Sequence, residues 1–165
     1  MKLAGMVFIV LSAGSVGVRI GLLLKRRCRY LRLMLHALGV LENEIAFGAT
    51  PLPQAFLAVS NASEGEMKQI FLSMSKQMEQ CCWISPKMAM EKALSGNEDP
   101  SNIVLTHLAE QLGKYDLQTQ LNALQTAKTQ AEQIKQELER ERSIKSGTYE
   151  TLSICAGLAA AILLM

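Results

Sequence analysis

A chain of 165 residues with 49% hydrophobic side chains suits one compact domain plus apolar segments set apart from it. A net charge of +2 and 5% aromatic content provide neither a basic stripe nor base-stacking rings, so nucleic acid has no footing as a partner. Cys28, Cys81, Cys82 and Cys155 form no Cys-x-x-Cys pair, and His36 and His107 lie near none of them, which argues against a zinc site.

Leu3–Leu24 is a run of 22 residues. As a helix it is about 33 Å long, against a hydrocarbon core of about 30 Å. Its one charge, Arg19, sits near the end and can reach the interface along its own stem. A cleaved signal peptide is the rival reading. Against it stand Lys25, Arg26, Arg27, Arg29 and Arg32, five cations that hold this flank in the cytoplasm. Residues 1–24 are therefore expected to form an uncleaved transmembrane helix.

The middle of the chain, 25–147, reads as a helical head. On 28–47, Leu31, Met34, Leu35, Leu38, Leu41 and Ile45 share one face. Leu33, Ala37, Val40 and Phe47 form a second, so this helix should either be the centre of the head, the favoured reading, or meet a partner with one face. Glu42 falls on the first face and needs a donor: an Arg or Lys, or the free N–H groups of the next helix start at Thr50 and Leu52. It is expected to brace that turn, whereas Glu44 points away.

Thr50-Pro51, Ser85-Pro86 and Asp99-Pro100 each read as a cap followed by proline at the first helical position. Ser63 with Glu66 has the capping-box spacing, ahead of a core stripe of Met67, Ile70, Phe71, Met74 and Met78. Gly48, Gly96 and Gly113 suit left-handed stops, and Asp116 caps the last helix. Helices are expected near 28–47, 51–60, 64–82, 86–95, 100–112 and from 117 onward. With short loops these imply an all-α, six-helix antiparallel bundle.

The last helix carries Leu117, Leu121, Leu124, Ala127, Ala131, Ile134 and Leu138 on one face. It is either one helix or two with a joint at Gly147. Thr148–Met165 gives a second apolar span of 18 residues, preceded by Arg140, Arg142 and Lys145. Both spans thus turn their positive flanks toward the head. The expected arrangement is a two-pass protein in lipid, head in the cytoplasm and both termini outside. Gly17 and Gly21 on the first span and Gly157 and Ala161 on the second are small enough to pack closely at matching depth; the alternatives are that they face lipid or mediate self-association.

Catalytic sets are missing from the sequence. It holds no Walker-type glycine loop, no Gly-x-Ser-x-Gly elbow and no His-Glu-x-x-His. Glu42 and Glu44 diverge on a helix and make a poor acid–base pair. No enzyme, cofactor or metal is expected. A thiol-redox membrane protein using the adjacent Cys81 and Cys82 is one alternative.

The run from Leu41 through Glu42, Glu44, Gly48, Thr50 and Pro51 to Leu52, continuing to Ala55-Phe56, resembles the stage III sporulation protein AB family of endospore-forming bacteria. Leu112-Gly113-Lys114-Tyr115-Asp116, Lys2-Leu3-Ala4-Gly5 and the closing Ile162-Leu163-Leu164-Met165 extend the resemblance over nearly the whole chain. It implies a six-helix head like the cytoplasmic domain of secretion platform proteins. It also implies a part in the channel joining mother cell and forespore. The head would face the mother-cell cytoplasm. Expected partners are a secretion-type ATPase, other membrane proteins of the channel and, as a candidate, further copies of the chain. A platform fragment of a type II secretion or type IV pilus system is the remaining alternative. Glu42, Glu44, Gly48, Thr50, Pro51, Leu52, Gly113 and Asp116 are the candidate structural or partner-contact positions, with Glu44 the one expected to meet a partner.

Overall fold

Apolar side chains at steps of three and four drive every element of the computed structural model. It describes residues 22–47, 50–81, 83–114 and 116–143 with their side chains, and positions 2–21 and 144–164 as helix. The elements are α1 (Lys2–Phe47), α2 (Leu52–Ala62), α3 (Gly65–Gln80), α4 (Pro86–Ala93), α5 (Asn102–Gln111) and α6 (Leu117–Leu164). No strand occurs among the described residues.

Two compact units make up the chain. Arg29–Lys135 is one; Met1–Cys28 with Gln136–Met165 is the other. The sequence suggests a membrane helix ending at Leu24 and a separate helix from 28. Instead α1 runs unbroken through these positions, because nothing from Lys25 to Arg32 is a glycine or proline. In the second unit Leu22 and Leu23 are each 61% exposed, while Leu24, Cys28 and Leu138 are buried. Among the described residues no helix is long and apolar enough to cross a membrane. The predicted span 148–165 and positions 1–21 of the first span lie outside the residues with described side chains. So do Gly17, Gly21, Gly157 and Ala161.

Within Arg29–Lys135, α2 packs on α3, α3 on α4 and α4 on α5. Leu31, Met34, Leu38 and Leu41 of α1 are fully buried, as are Phe56 of α2, Met67, Phe71 and Met74 of α3, Leu105 of α5 and Leu124 of α6. The rings of Phe56 and Phe71 meet with centroids 6.0 Å apart. Met67 and Met74 of the α3 stripe are therefore core, their flexible thioethers filling gaps between helices, while Met78 is only half-buried. The central position expected for α1 holds at Ala37, which is buried, but not at its end, where Phe47 is 87% exposed. Leu117, expected on the inner face of α6, is 51% exposed.

Helix starts correct the sequence reading in three places. Ser85 does cap α4, accepting from Met88 N at 3.3 Å. At α2, however, Pro51 itself is the cap residue and Thr50 lies outside the helix. Asp99 accepts from Ser101 N at 2.9 Å and makes a turn ahead of α5, whose cap position is Ser101. The Ser63–Glu66 box does not form. Glu64 holds the cap position, the buried Ser63 hydroxyl makes no hydrogen bond, and Glu66 accepts from Asn97 Nδ2. Gly96 and Gly113 take positive φ, as stops should; Gly48 lies outside the described residues.

Candidate partner surface

The end of α1 sets the geometry of the predicted turn. Ile45 is buried and anchors the last turn, leaving Phe47 outward. The chain then returns through Thr50, whose hydroxyl lies 3.4 Å from the Glu44 carbonyl oxygen and 3.5 Å from Glu44 Oε2. Pro51 is extended, and its carbonyl accepts from Gln54 N and Ala55 N to start α2.

Glu42 does not brace this turn. Its Oε2 takes a bond from Lys128 Nζ at 2.7 Å, tying α1 to α6. Of the donors the sequence offers, a lysine is the one used. The carboxylate at the turn is Glu44, which the helical spacing predicts to point away. The two are two residues apart, about 200° around a helix, so only one of them can face the returning chain.

Leu52, at the start of α2, meets the link between α5 and α6. Gly113 there has φ +76, and a Cβ in its place would stand 3.0 Å from Leu52 Cδ1 and 3.7 Å from Pro86 Cγ. Glycine is required both by its backbone and by this approach. Asp116 then opens α6 as predicted, accepting from the Thr119 hydroxyl at 2.7 Å and from Thr119 N at 3.3 Å. These bonds hold its carboxyl below the usual aspartate range. Lys87 of α4 pairs with Glu110 of α5. That contact lowers the Glu110 carboxyl and raises the Lys87 ammonium from their ordinary values.

The ends of α1, α3 and α5 and the starts of α2, α4 and α6 thus meet at one end of the unit. Four large apolar side chains stand out on it: Phe47 (87% exposed), Trp83 (98%), Met88 (59%) and Leu117 (51%). Of these, the sequence pattern singles out only Phe47 and Leu117, the first on a face expected to be buried in the head or by a partner, the second on the inner face of α6. The available signal was Trp83, the one tryptophan, in a link too short to bury it.

The opposite end is closed by polar contacts. Tyr30, 5% exposed, donates its hydroxyl to Asn102 Oδ1 and accepts from Asn97 Nδ2 at 3.3 Å. Asn102 Nδ2 donates to the Asn97 carbonyl at 2.8 Å, and Asn97 Nδ2 also reaches Glu66 Oε2 at 3.1 Å. Burial first, then the carboxylates of Asp99 and Glu66, push the Tyr30 phenol well above its ordinary pKa.

Among the described residues no group of three or more His, Cys, Asp or Glu could hold a metal ion. His36 Nε2 lies 3.1 Å from the Ala62 carbonyl oxygen, and His107 is exposed. Cys81 is exposed and Cys28 buried, both as free thiols; Cys82 lies outside the described residues. What the open end offers is exposed aromatic and methionine area.

The comparisons with known proteins agree with one another. A family model described as stage III sporulation protein AB matches residues 2–165. The stage III sporulation protein AB of Bacillus subtilis (strain 168) is 29% identical over 171 residues, covering 100% of this chain and 99% of that one. A solved structure of a stage III sporulation protein AB superposes with a TM-score of 0.65 at 26% identity, over 72% of this chain and 98% of that one. With its helical fold matched and its length covered almost end to end, the chain belongs to the stage III sporulation protein AB family.

Proposed function

We propose that this protein is a membrane platform component of the channel that joins mother cell and forespore during stage III of sporulation. The family match over residues 2–165 is the observation that carries the reading. In it, an antiparallel six-helix head is held between two transmembrane helices, 1–24 and 148–165. The head lies in the mother-cell cytoplasm and both termini lie outside. The five cations from Lys25 to Arg32 and the exposed Leu22 and Leu23 support that placement. The role is non-catalytic. Work on the transported material comes from a secretion-type ATPase, which docks on the end of the head bearing Phe47, Trp83, Met88 and Leu117. Exposed aromatic and methionine side chains are what protein contacts favour, and this end lies farthest along α1 from the basic flank.

Placing Trp83→Ser and Phe47→Ser together in the full-length protein tests the docking. Sporulation should fail while the protein stays at its normal level in the membrane, and affinity for the purified ATPase should drop at least about tenfold, an energy of about 1.4 kcal/mol. Normal sporulation with unchanged ATPase affinity would sink the docking reading. Topology is checked separately, with single cysteines on the head in a cysteine-free background. Labelling of Lys76→Cys by an impermeant thiol reagent in intact cells would reverse the orientation.

A further inference from the structure

The outward face of α6 carries no charge for more than four turns. At about 100° per residue, Gln118, Asn122, Gln125, Thr126, Thr129 and Gln133 lie within about 60° of one line along the helix. That line is opposite the buried Leu124, Ala127 and Ala131. The stripe runs about 22 Å. At its centre Asn122, Gln125, Thr126, Thr129 and Gln130 stand around a shallow, open depression. A solvated helix face ordinarily carries Glu and Lys at i and i+4. In this stretch of α6 the charges stand to one side. Lys128 turns to Glu42, and Glu132 and Lys135 pair with each other at 3.9 Å along the flank.

The stripe is also ordered along the helix. The Thr126 hydroxyl donates to the Asn122 carbonyl and the Thr129 hydroxyl to the Gln125 carbonyl, both at 2.9 Å. Their methyl groups are then the part left for a neighbour. Gln118 Nε2 donates to Asn122 Oδ1 at 3.2 Å. Two methyl-bearing positions, Thr126 and Thr129, thus lie between the amides of Gln125 and Gln133, and each amide both donates and accepts.

We propose that this stripe is a contact between two copies of the chain, α6 against α6 in parallel. Charge selects the occupant. A two-fold contact between parallel helices sets each residue against its own copy, so a single charge on the stripe would face its like. Amides and threonine methyls are free of that cost. An amide can donate to its own copy across the axis while accepting in return, and Asn at such a seam fixes register. A partner of a different kind would instead favour charges complementary to its own, and the stripe has none. The parallel direction rests on the proposed membrane reading, since helices that enter one membrane from the same side must run alongside each other. Confinement to a membrane raises the effective concentration of one copy around another, so a contact without a large apolar area suffices.

Disulfide trapping in native membranes tests this, using the full-length chain with Cys28, Cys81, Cys82 and Cys155 replaced by serine. Asn122→Cys and Thr129→Cys should each give a cross-linked dimer at least about fivefold above Ile103→Cys and Lys76→Cys, which are exposed positions on α5 and α3. Dimer yields at positions 122 and 129 no higher than at those controls would overturn the contact. If Asn122→Cys cross-links only to Gln133→Cys on a co-expressed copy, the helices run antiparallel. The parallel arrangement is then overturned, and the membrane reading on which it rests is in error. A charge swap adds a readout that misfolding cannot imitate. Thr129→Glu and Thr129→Lys, each placed with Asn122→Cys, should separately lower trapping about fivefold, and co-expression of the two should restore it. Failure of the mixed pair to recover would count against face-to-face packing.

Discussion

Tyr30 and Trp83 mark the two ends of the Arg29–Lys135 unit. Tyr30 is 5% exposed and its hydroxyl is held by Asn102 and Asn97; Trp83 is 98% exposed. One end spends its polar groups on the fold, joining Tyr30, within α1, to the link between α4 and α5. The other leaves aromatic and thioether area in water, at positions where six helix ends converge. Packing and hydrogen bonding account for Tyr30 and Asn102 at the first end. They do not explain the second, because an exposed Trp or Phe contributes almost nothing to folding. The contrast separates side chains whose placement folding explains from side chains whose exposure it does not, within one small unit.

The closed end should give the largest response to a mutation. Asn102→Ala leaves the Tyr30 hydroxyl and the Asn97 carbonyl without their partner in a buried site. A loss of about 3 kcal/mol is expected, read as a lowered midpoint when thermal unfolding of the purified chain is followed by circular dichroism. A change under about 1 kcal/mol would mean that water replaces the asparagine and that this end is not closed.

Next comes the link that carries the open end. Gly113→Ala forces a side chain onto φ +76 and sets a Cβ 3.0 Å from Leu52 Cδ1. About 1–2 kcal/mol should be lost. Breaking the tie between α1 and α6 with Glu42→Ala should cost about 1 kcal/mol, since both members of the Glu42–Lys128 pair are about one-third exposed. Adding Lys128→Ala to Glu42→Ala should cost little more, and a double-mutant cycle checks that coupling.

Trp83→Ser should shift stability by no more than about 0.5 kcal/mol, yet weaken partner binding. Equal damage to folding from Trp83→Ser and Asn102→Ala would erase the distinction between the ends. The smallest effect concerns pH. Lys87 holds the Glu110 carboxyl below its ordinary value. A group depressed in the folded state contributes stability above its unfolded pKa, and loses it as pH falls through the folded value. The carboxyl-carbon NMR titration of Glu110 should therefore move to higher pH in Lys87→Met. An unmoved midpoint would show that the pair does not persist in solution.

Periodicity and punctuation are legible in the amino-acid sequence alone. Apolar steps of three and four locate the core faces of α1, α3 and α6, and Gly96, Gly113, Ser85 and Asp116 behave as their local chemistry requires. Those signals are local: a left-handed backbone or a cap depends on atoms within a few residues. Tertiary contacts decide the rest. Whether Glu42 or Glu44 meets the turn depends on where Lys128 arrives from, 86 positions along the chain. Whether Ser63 caps α3 depends on Asn97 reaching Glu66 from another element. Phe47 and Leu117 fit an inward stripe by spacing, but they lie past the points where their helices still have a neighbour to bury them. Periodicity fixes the direction in which a side chain points; only the assembled helices determine whether anything stands there.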